Sequence, residues 1–308
     1  MSNYHRAILF YNEKSGKSET SGQIETIKEY FVDQNMDLEI VKVPKPPEEM
    51  AAIIAQAKSD GVDLILAAGG DGTVSMVGSP LINSDIPLGI LPIGTGNLLA
   101  KELMIPINLV KALEVITSGA SETISIDVLK LDDQYYILNI SVGVSSRVME
   151  STTSDEKKRL GVFAYLIHFI QQILGLKLQR FTIDYDGQKE SHLASEVLIT
   201  NGRLMGVEPL EWSEDISLND GKLDIFIIRA ANILDLISIF FAAFSKRKWK
   251  SPVIRYVRFE EYCRIETKDP IQAQADGDAV GKTPLVIQVE PQALTLIIPK
   301  KEPIIQSS

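Results

Sequence analysis

Short apolar runs separated by helical-period stretches dominate the first hundred residues. Ala7-Ile8-Leu9-Phe10-Tyr11, Leu38 to Val43, Asp63 to Ala68 and Pro87 to Leu91 read as strands, and each ends at a polar, proline or glycine turn. Between them, Ile24, Ile27, Tyr30 and Phe31, then Met50, Ile53, Ile54 and Ala57, recur at the spacing of one helix face. Strand alternating with helix predicts a parallel sheet covered on both faces. A short helix from Leu98 to Leu103, cut by Pro106, and another from Asn108 to Thr117 close this part at Ser118-Gly119-Ala120.

From Ile124 the period changes to two. Strands are predicted at 125–130, 135–142, 181–185, 195–200, 222–229, 256–265, 285–289 and 294–298, with turn signals at Asp132-Asp133, Asp186-Gly187 and Asn219-Asp220-Gly221. The expectation is an α/β N-terminal domain (1–123) with a parallel sheet and glycine-rich βα turns. An antiparallel β-sandwich domain (124–299) with inserted helices near 160–176 and 232–244 follows, then a tail (300–308).

Composition narrows the function. The 308 residues are 45% hydrophobic and 23% charged, a balance that suits globular domains. A net charge of -10 excludes a general nucleic-acid binder, which needs a broad phosphate-neutralising surface. The single cysteine, Cys263, excludes an internal disulfide and a multi-cysteine metal site, and fits a reducing compartment. No leader-like apolar run follows Met1, and the longest apolar runs are broken by His168, Gln171 and Gln172 or by Asp235, so a cytoplasmic protein is expected. Lys246, Arg247, Lys248 and Lys250 around Trp249 suit either a solvated loop or a peripheral contact with an anionic inner membrane face.

The chemistry concentrates where strands break. Asp63–Ala68 runs into Gly69-Gly70-Asp71-Gly72-Thr73, and Pro87–Leu91 into Pro92-Ile93-Gly94-Thr95-Gly96-Asn97. Glycines let backbone N–H groups approach phosphate oxygens, and helix N-termini at the carboxyl ends of parallel strands favour anions. Asp71, an acid inside such a loop, suits a Mg²⁺ carried with the phosphates or an acceptor hydroxyl. After the first strand, Asn12-Glu13-Lys14-Ser15-Gly16-Lys17-Ser18 ends like a Walker A loop, but Tyr11 stands where its leading glycine belongs. It reads as a polar turn that is either solvated or in contact with phosphate.

Together, Asn12 to Gly16, Gly69 to Thr73, Gly94 to Asn97, Asn219 to Asp224 and Ala275-Asp276-Gly277-Asp278 stand in an order that resembles the diacylglycerol kinase catalytic family, in its branch of bacterial soluble lipid kinases. The resemblance implies an ATP-dependent kinase acting on a lipid alcohol at the membrane surface, and it leaves a homodimer open. It implies that Asn12, Glu13, Lys14, Ser15, Gly16, Gly69, Gly70, Gly72, Thr73, Gly94, Thr95 and Asn97 form the nucleotide site. Asp278, with Asp276 as its rival, takes the general-base role, and Asp220 with the carbonyls of Leu223 and Ile225 takes a Mg²⁺. The chain departs from the family pattern at Met76 and Leu98, where relatives carry acids, and at Asp278, where they carry Glu. A kinase of a soluble substrate such as NAD and a non-catalytic nucleotide or lipid binder are the competing readings.

Overall fold

The structure is a computed structural model that describes residues 4–12, 20–44, 47–119, 121–144, 178–204, 216–232, 234–235, 238–239 and 253–300. Glu13, Lys14, Ser15 and Gly16, the expected helix 160–176, most of the expected helix 232–244, and the basic run 246–250 lie outside these residues. Contacts divide the chain into one unit of residues 1–126 and 292–308 and another of residues 127–291.

The first unit holds β1 (Arg6–Tyr11), α1 (Thr20–Asp33), β2 (Asp37–Lys42), α2 (Pro47–Ser59), β3 (Leu64–Gly69), α3 (Asp71–Gly78), β4 (Leu88–Pro92), α4 (Leu98–Glu102) and α5 (Leu109–Thr117). β5 (Ser121–Leu131) leads out of it. Every residue of β3 and β4 is buried, which is why these strands read as unbroken apolar runs. The strand order is β2-β1-β3-β4, all parallel, and the late strand β16 (Leu285–Pro299) returns to pair Leu296 with Leu88 of β4. Ile24, Ile27 and Phe31 of α1, and Met50, Ile54 and Ala57 of α2, form the buried faces read from their spacing.

In this order the winding reverses between β1 and β3. Ligands of open α/β sheets bind beyond the carboxyl ends of strands at such a reversal, because the neighbouring loops diverge there. Asn12 follows β1 at that point, and its N–H reaches the carbonyl of Ala68, one residue from the end of β3.

The second unit contains β6 (Gln134–Tyr136), β7 (Asn139–Gly143), β8 (Gln179–Tyr185), β9 (Gln188–Ala194), β10 (Glu196–Thr200), β11 (Leu223–Ile228), β12 (Ile254–Phe259), β13 (Tyr262–Thr267), β14 (Gln272–Ala275) and β15 (Asp278–Lys282). One antiparallel sheet runs β12-β11-β10-β7-β14-β15, and the first half of β16 continues through β13, β8 and β9. Val142, Phe181, Ile183, Ile199, Ile225, Phe259, Cys263 and Ile287 belong to a single buried cluster, the core of the expected sandwich. Burial raises the pKa of the Cys263 thiol, which makes it inert filler.

The structure refines the strand reading. The expected strand 256–265 is two strands, β12 and β13, that turn at Glu260-Glu261. The expected pair 285–289 and 294–298 is one strand, β16, bent at Gln292, whose φ is 49°.

Candidate active site

The glycine turns of the first unit touch through backbone. A Cβ built on Gly94 would stand 2.3 Å from Gly70 Cα and 2.6 Å from Gly70 N, closer than any side chain permits. Two neighbouring parallel strands, β3 and β4, therefore end in turns whose main chains are in contact, and only glycine at position 94 allows it. A Cβ on Gly69 would strike the side chain of Thr73, which is 4% exposed and packs down over the end of β3.

Gly72 behaves differently. It is exposed, and nothing lies within 4 Å of where its Cβ would be. It occupies the second position of α3, where helix N–H groups have no carbonyl four residues back. The absent side chain leaves an open approach to the positive end of a helix, which is the geometry a phosphate needs. Thr95, at the tip of the second turn, is exposed as well.

Asp71 and Asn97 hold this arrangement. Asp71 Oδ1 accepts the backbone N–H of Leu99 at 3.1 Å. Asp71 Oδ2 also sits 2.8 Å from where a Cβ on Gly96 would be. Asn97, left-handed at φ 52° and 4% exposed, donates from Nδ2 to the carbonyls of Gly94 (2.9 Å) and Pro92 (3.2 Å). Its Nδ2 is thus spent inside the turn. Asn97 shapes the 92–97 turn rather than reaching out of it.

In the second unit, Asp276 and Gly277 have φ of 47° and 95° and join β14 to β15 as a two-residue hairpin. Positive φ at both positions is the type I′ turn that an Asp-Gly pair favours. Asp276 Oδ2 accepts from Ile137 N (2.8 Å), and Oδ1 accepts from Leu138 N (2.9 Å) and Asn139 N (3.0 Å). Both of its oxygens are thus engaged with backbone N–H groups of one distant segment. Asp276 is a clasp on the backbone of residues 137–139. Asp278 opens β15 beside that turn and is exposed. Tyr136 lies near both acids: burial first, then the charges of Asp276 and Asp278, push its phenol pKa up.

The residues expected around a Mg²⁺ lie at the turn into β11 and in its first residues. Asp220 is exposed, and its Oδ1 accepts Lys222 N–H at 3.1 Å. Ile225 lies in β11 with partners on both sides, Ile199 and Val257, so its carbonyl serves the sheet. Among the described residues no group of three or more His, Cys, Asp or Glu side chains is placed to hold a metal. The turn is also held by Asp127, fully buried on β5, whose Oδ2 accepts Gly221 N–H at 2.7 Å. A lone acid in the apolar alternation Ile126-Asp127-Val128 is the sequence signal for it. Asp224, 2% exposed, binds Tyr256 Oη (2.5 Å) and Arg258 Nε (2.9 Å). Burial raises its pKa against the pull of those two partners.

Fold and turns together define a nucleotide-binding-type α/β unit followed by a β-sandwich. Residues 6–130 match the diacylglycerol kinase catalytic domain, and residues 139–298 match the YegS C-terminal NAD kinase beta sandwich-like domain. The chain belongs to this lipid kinase family, and so to the kinases, which transfer phosphoryl groups. It is 28% identical to a diacylglycerol kinase of Staphylococcus aureus, over 91% of this chain and 88% of that protein. A diacylglycerol kinase of Staphylococcus epidermidis is also 28% identical, over 96% and 92%. The crystal structure of a diacylglycerol kinase from Bacillus anthracis superposes with a TM-score of 0.78 at 25% identity, over 97% of this chain and 98% of that one.

Proposed function

We propose that the protein transfers the γ-phosphate of ATP to the hydroxyl of a lipid alcohol such as diacylglycerol, working as a peripheral enzyme at the inner face of the membrane. The observation that carries this reading is the contact of Gly70 with Gly94, which sets the open N-terminus of α3 at Gly72 beside the reversal point of the parallel sheet. The matched relatives named diacylglycerol kinase support the lipid acceptor.

Phosphoryl transfer asks the protein chiefly for position and charge. Backbone N–H groups at the start of α3 and in the 94–97 turn hold the triphosphate, with Asn12 on its flank. A Mg²⁺ carried with ATP would supply the charge neutralisation that the phosphates need. Asp71 places a negative charge at that loop while bracing the second turn. Asp278 accepts the hydroxyl proton, and Asp276 keeps its hairpin in place.

The test is γ-labelled ATP offered to a panel of lipid alcohols in mixed micelles: diacylglycerol, monoacylglycerol, ceramide and phosphatidylglycerol, with NAD alongside. Label is expected on a lipid and absent from NAD. Label on NAD alone would favour a soluble acceptor, and ATP binding with no labelled acceptor would favour a non-catalytic binder.

A further inference from the structure

Among the described residues, three of the exposed large apolar side chains crowd into seven consecutive positions: Met104 (71% exposed), Ile107 (47%) and Val110 (43%). All belong to the first unit, Met104 and Ile107 in the link from α4 to α5 and Val110 in the first turn of α5. The eight residues Leu103 to Val110 carry no charge, and the exposed Lys111 follows them.

The link is rigidly built. Met104 N–H donates to Lys101 O (3.0 Å) and Ile105 N–H to Ala100 O (2.8 Å), the paired bonds of a Schellman cap ending α4. Leu103 (7%) and Ile105 (4%) are buried on either side of Met104. Asn108 Oδ1 then accepts Lys111 N–H at 3.1 Å and caps α5. Met104 therefore occupies the left-handed position of the cap, with φ 59°, where glycine or asparagine is the low-strain residue. A flexible thioether is held into water at a position whose backbone disfavours it. Neither the cap nor the core uses that side chain.

We propose that the 104–110 link is the surface by which this protein seats on a lipid bilayer. Met104, Ile107 and Val110 enter the boundary between headgroups and acyl chains, and Lys111 rests on anionic headgroups. Apolar side chains on a fixed scaffold with a cation behind them meet both layers of a membrane surface, which a protein partner has no need to combine. The inference rests on the lipid-kinase reading, because an acceptor dissolved in a bilayer must be met at its surface. An unbranched methionine at the tip suits a fluid partner that offers no fixed pocket.

The test is sedimentation of the full chain, without ATP, on vesicles of equal parts phosphatidylcholine and phosphatidylglycerol, and on phosphatidylcholine alone. The triple variant Met104→Gly, Ile107→Ser, Val110→Ser should lower partitioning by on the order of 30-fold. Lys111→Gln should lower it about 5-fold on the anionic vesicles and leave phosphatidylcholine binding unchanged. Met104→Gly alone, which relieves the backbone, should bind less while melting no lower than the parent. Phosphorylation of a dispersed short-chain lipid alcohol should survive in all of them, which separates docking from the kinase reading. Parent protein that ignores vesicles, or a triple variant that binds like the parent, would overturn the proposal. A parent dimer that the triple variant splits, with vesicle binding unchanged, would overturn it in favour of a second copy of the chain.

Discussion

Asp71 Oδ1 accepts the backbone N–H of Leu99 at 3.1 Å, so the acid that opens α3 also caps the second residue of α4. One side chain ties the two glycine turns together across 28 residues of sequence. Shape and charge can then be separated by substitution. Asp71→Asn keeps an oxygen for Leu99 and removes the charge, so turnover should fall on the order of 100-fold while the melting temperature holds. Asp71→Ala loses the cap as well and should also cost about 1 kcal/mol in denaturant unfolding.

The two kinds of glycine in these turns predict opposite signatures. Gly94→Ala drives a Cβ into Gly70 backbone at 2.3 Å, which no rotamer change relieves. Destabilisation of about 1–3 kcal/mol and loss of ATP binding are expected together. Gly72→Ala meets nothing within 4 Å, so the fold should melt as before. Its methyl would stand where phosphate approaches, and calorimetric titration with ATP should show binding weakened on the order of 10-fold.

Asp276 and Asp278 differ by two positions and should fail differently. Asp278→Asn should lose turnover on the order of 100-fold with an unchanged melt. Asp276→Ala leaves the N–H groups of Ile137, Leu138 and Asn139 without their carboxylate, and a loss of about 2–3 kcal/mol in stability is expected before any effect on chemistry is read. An Asp276→Ala protein as stable as the parent yet inactive would return the base role to Asp276.

The parallel half of the fold was legible because its strands are buried on both faces, which leaves runs such as Leu64-Ile65-Leu66-Ala67-Ala68 with no polar interruption. β9 was not. Gln188-Lys189-Glu190-Ser191-His192-Leu193-Ala194 is an edge strand, mostly polar, and its apolar content is too low for a period to show. The break between β12 and β13 also left no local mark. Glu260-Glu261 is no turn signal, and the turn is held by Asp186, whose carboxylate accepts the N–H groups of Glu260, Glu261 and Tyr262 from about 75 residues upstream.

Asp186-Gly187 thus repeats what Asp276-Gly277 does. Both are two-residue hairpins with positive φ at each position, and in both the acid clasps three consecutive backbone N–H groups of a distant segment. Composition marks both pairs as turns. The partner segment is set by tertiary packing, and so sequence alone kept Asp276 as a rival to Asp278 for the base role.

The same sandwich carries a pH-sensitive clip. Glu190 of β9 accepts from Tyr185 Oη at 2.8 Å and from Arg255 Nη2 at 2.9 Å, and its Oε2 lies 2.7 Å from His192 Nε2. Arg255 belongs to β12 of the other sheet, so the carboxylate joins the two layers. Those bonds, that from Tyr185 foremost, favour the ionised form and pull the Glu190 pKa from 4.5 down to about 2. A folded pKa below the unfolded one means the stabilisation is complete above pH 4.5, shrinks as pH falls, and is gone below about 2, where both states are protonated. Glu190→Gln should therefore unfold at lower denaturant than the parent at pH 7, by the equivalent of about 1 kcal/mol. The gap between the two midpoints should narrow steadily from pH 5 to pH 3, and a gap that stays constant over that range would place the clip's contribution in packing rather than charge.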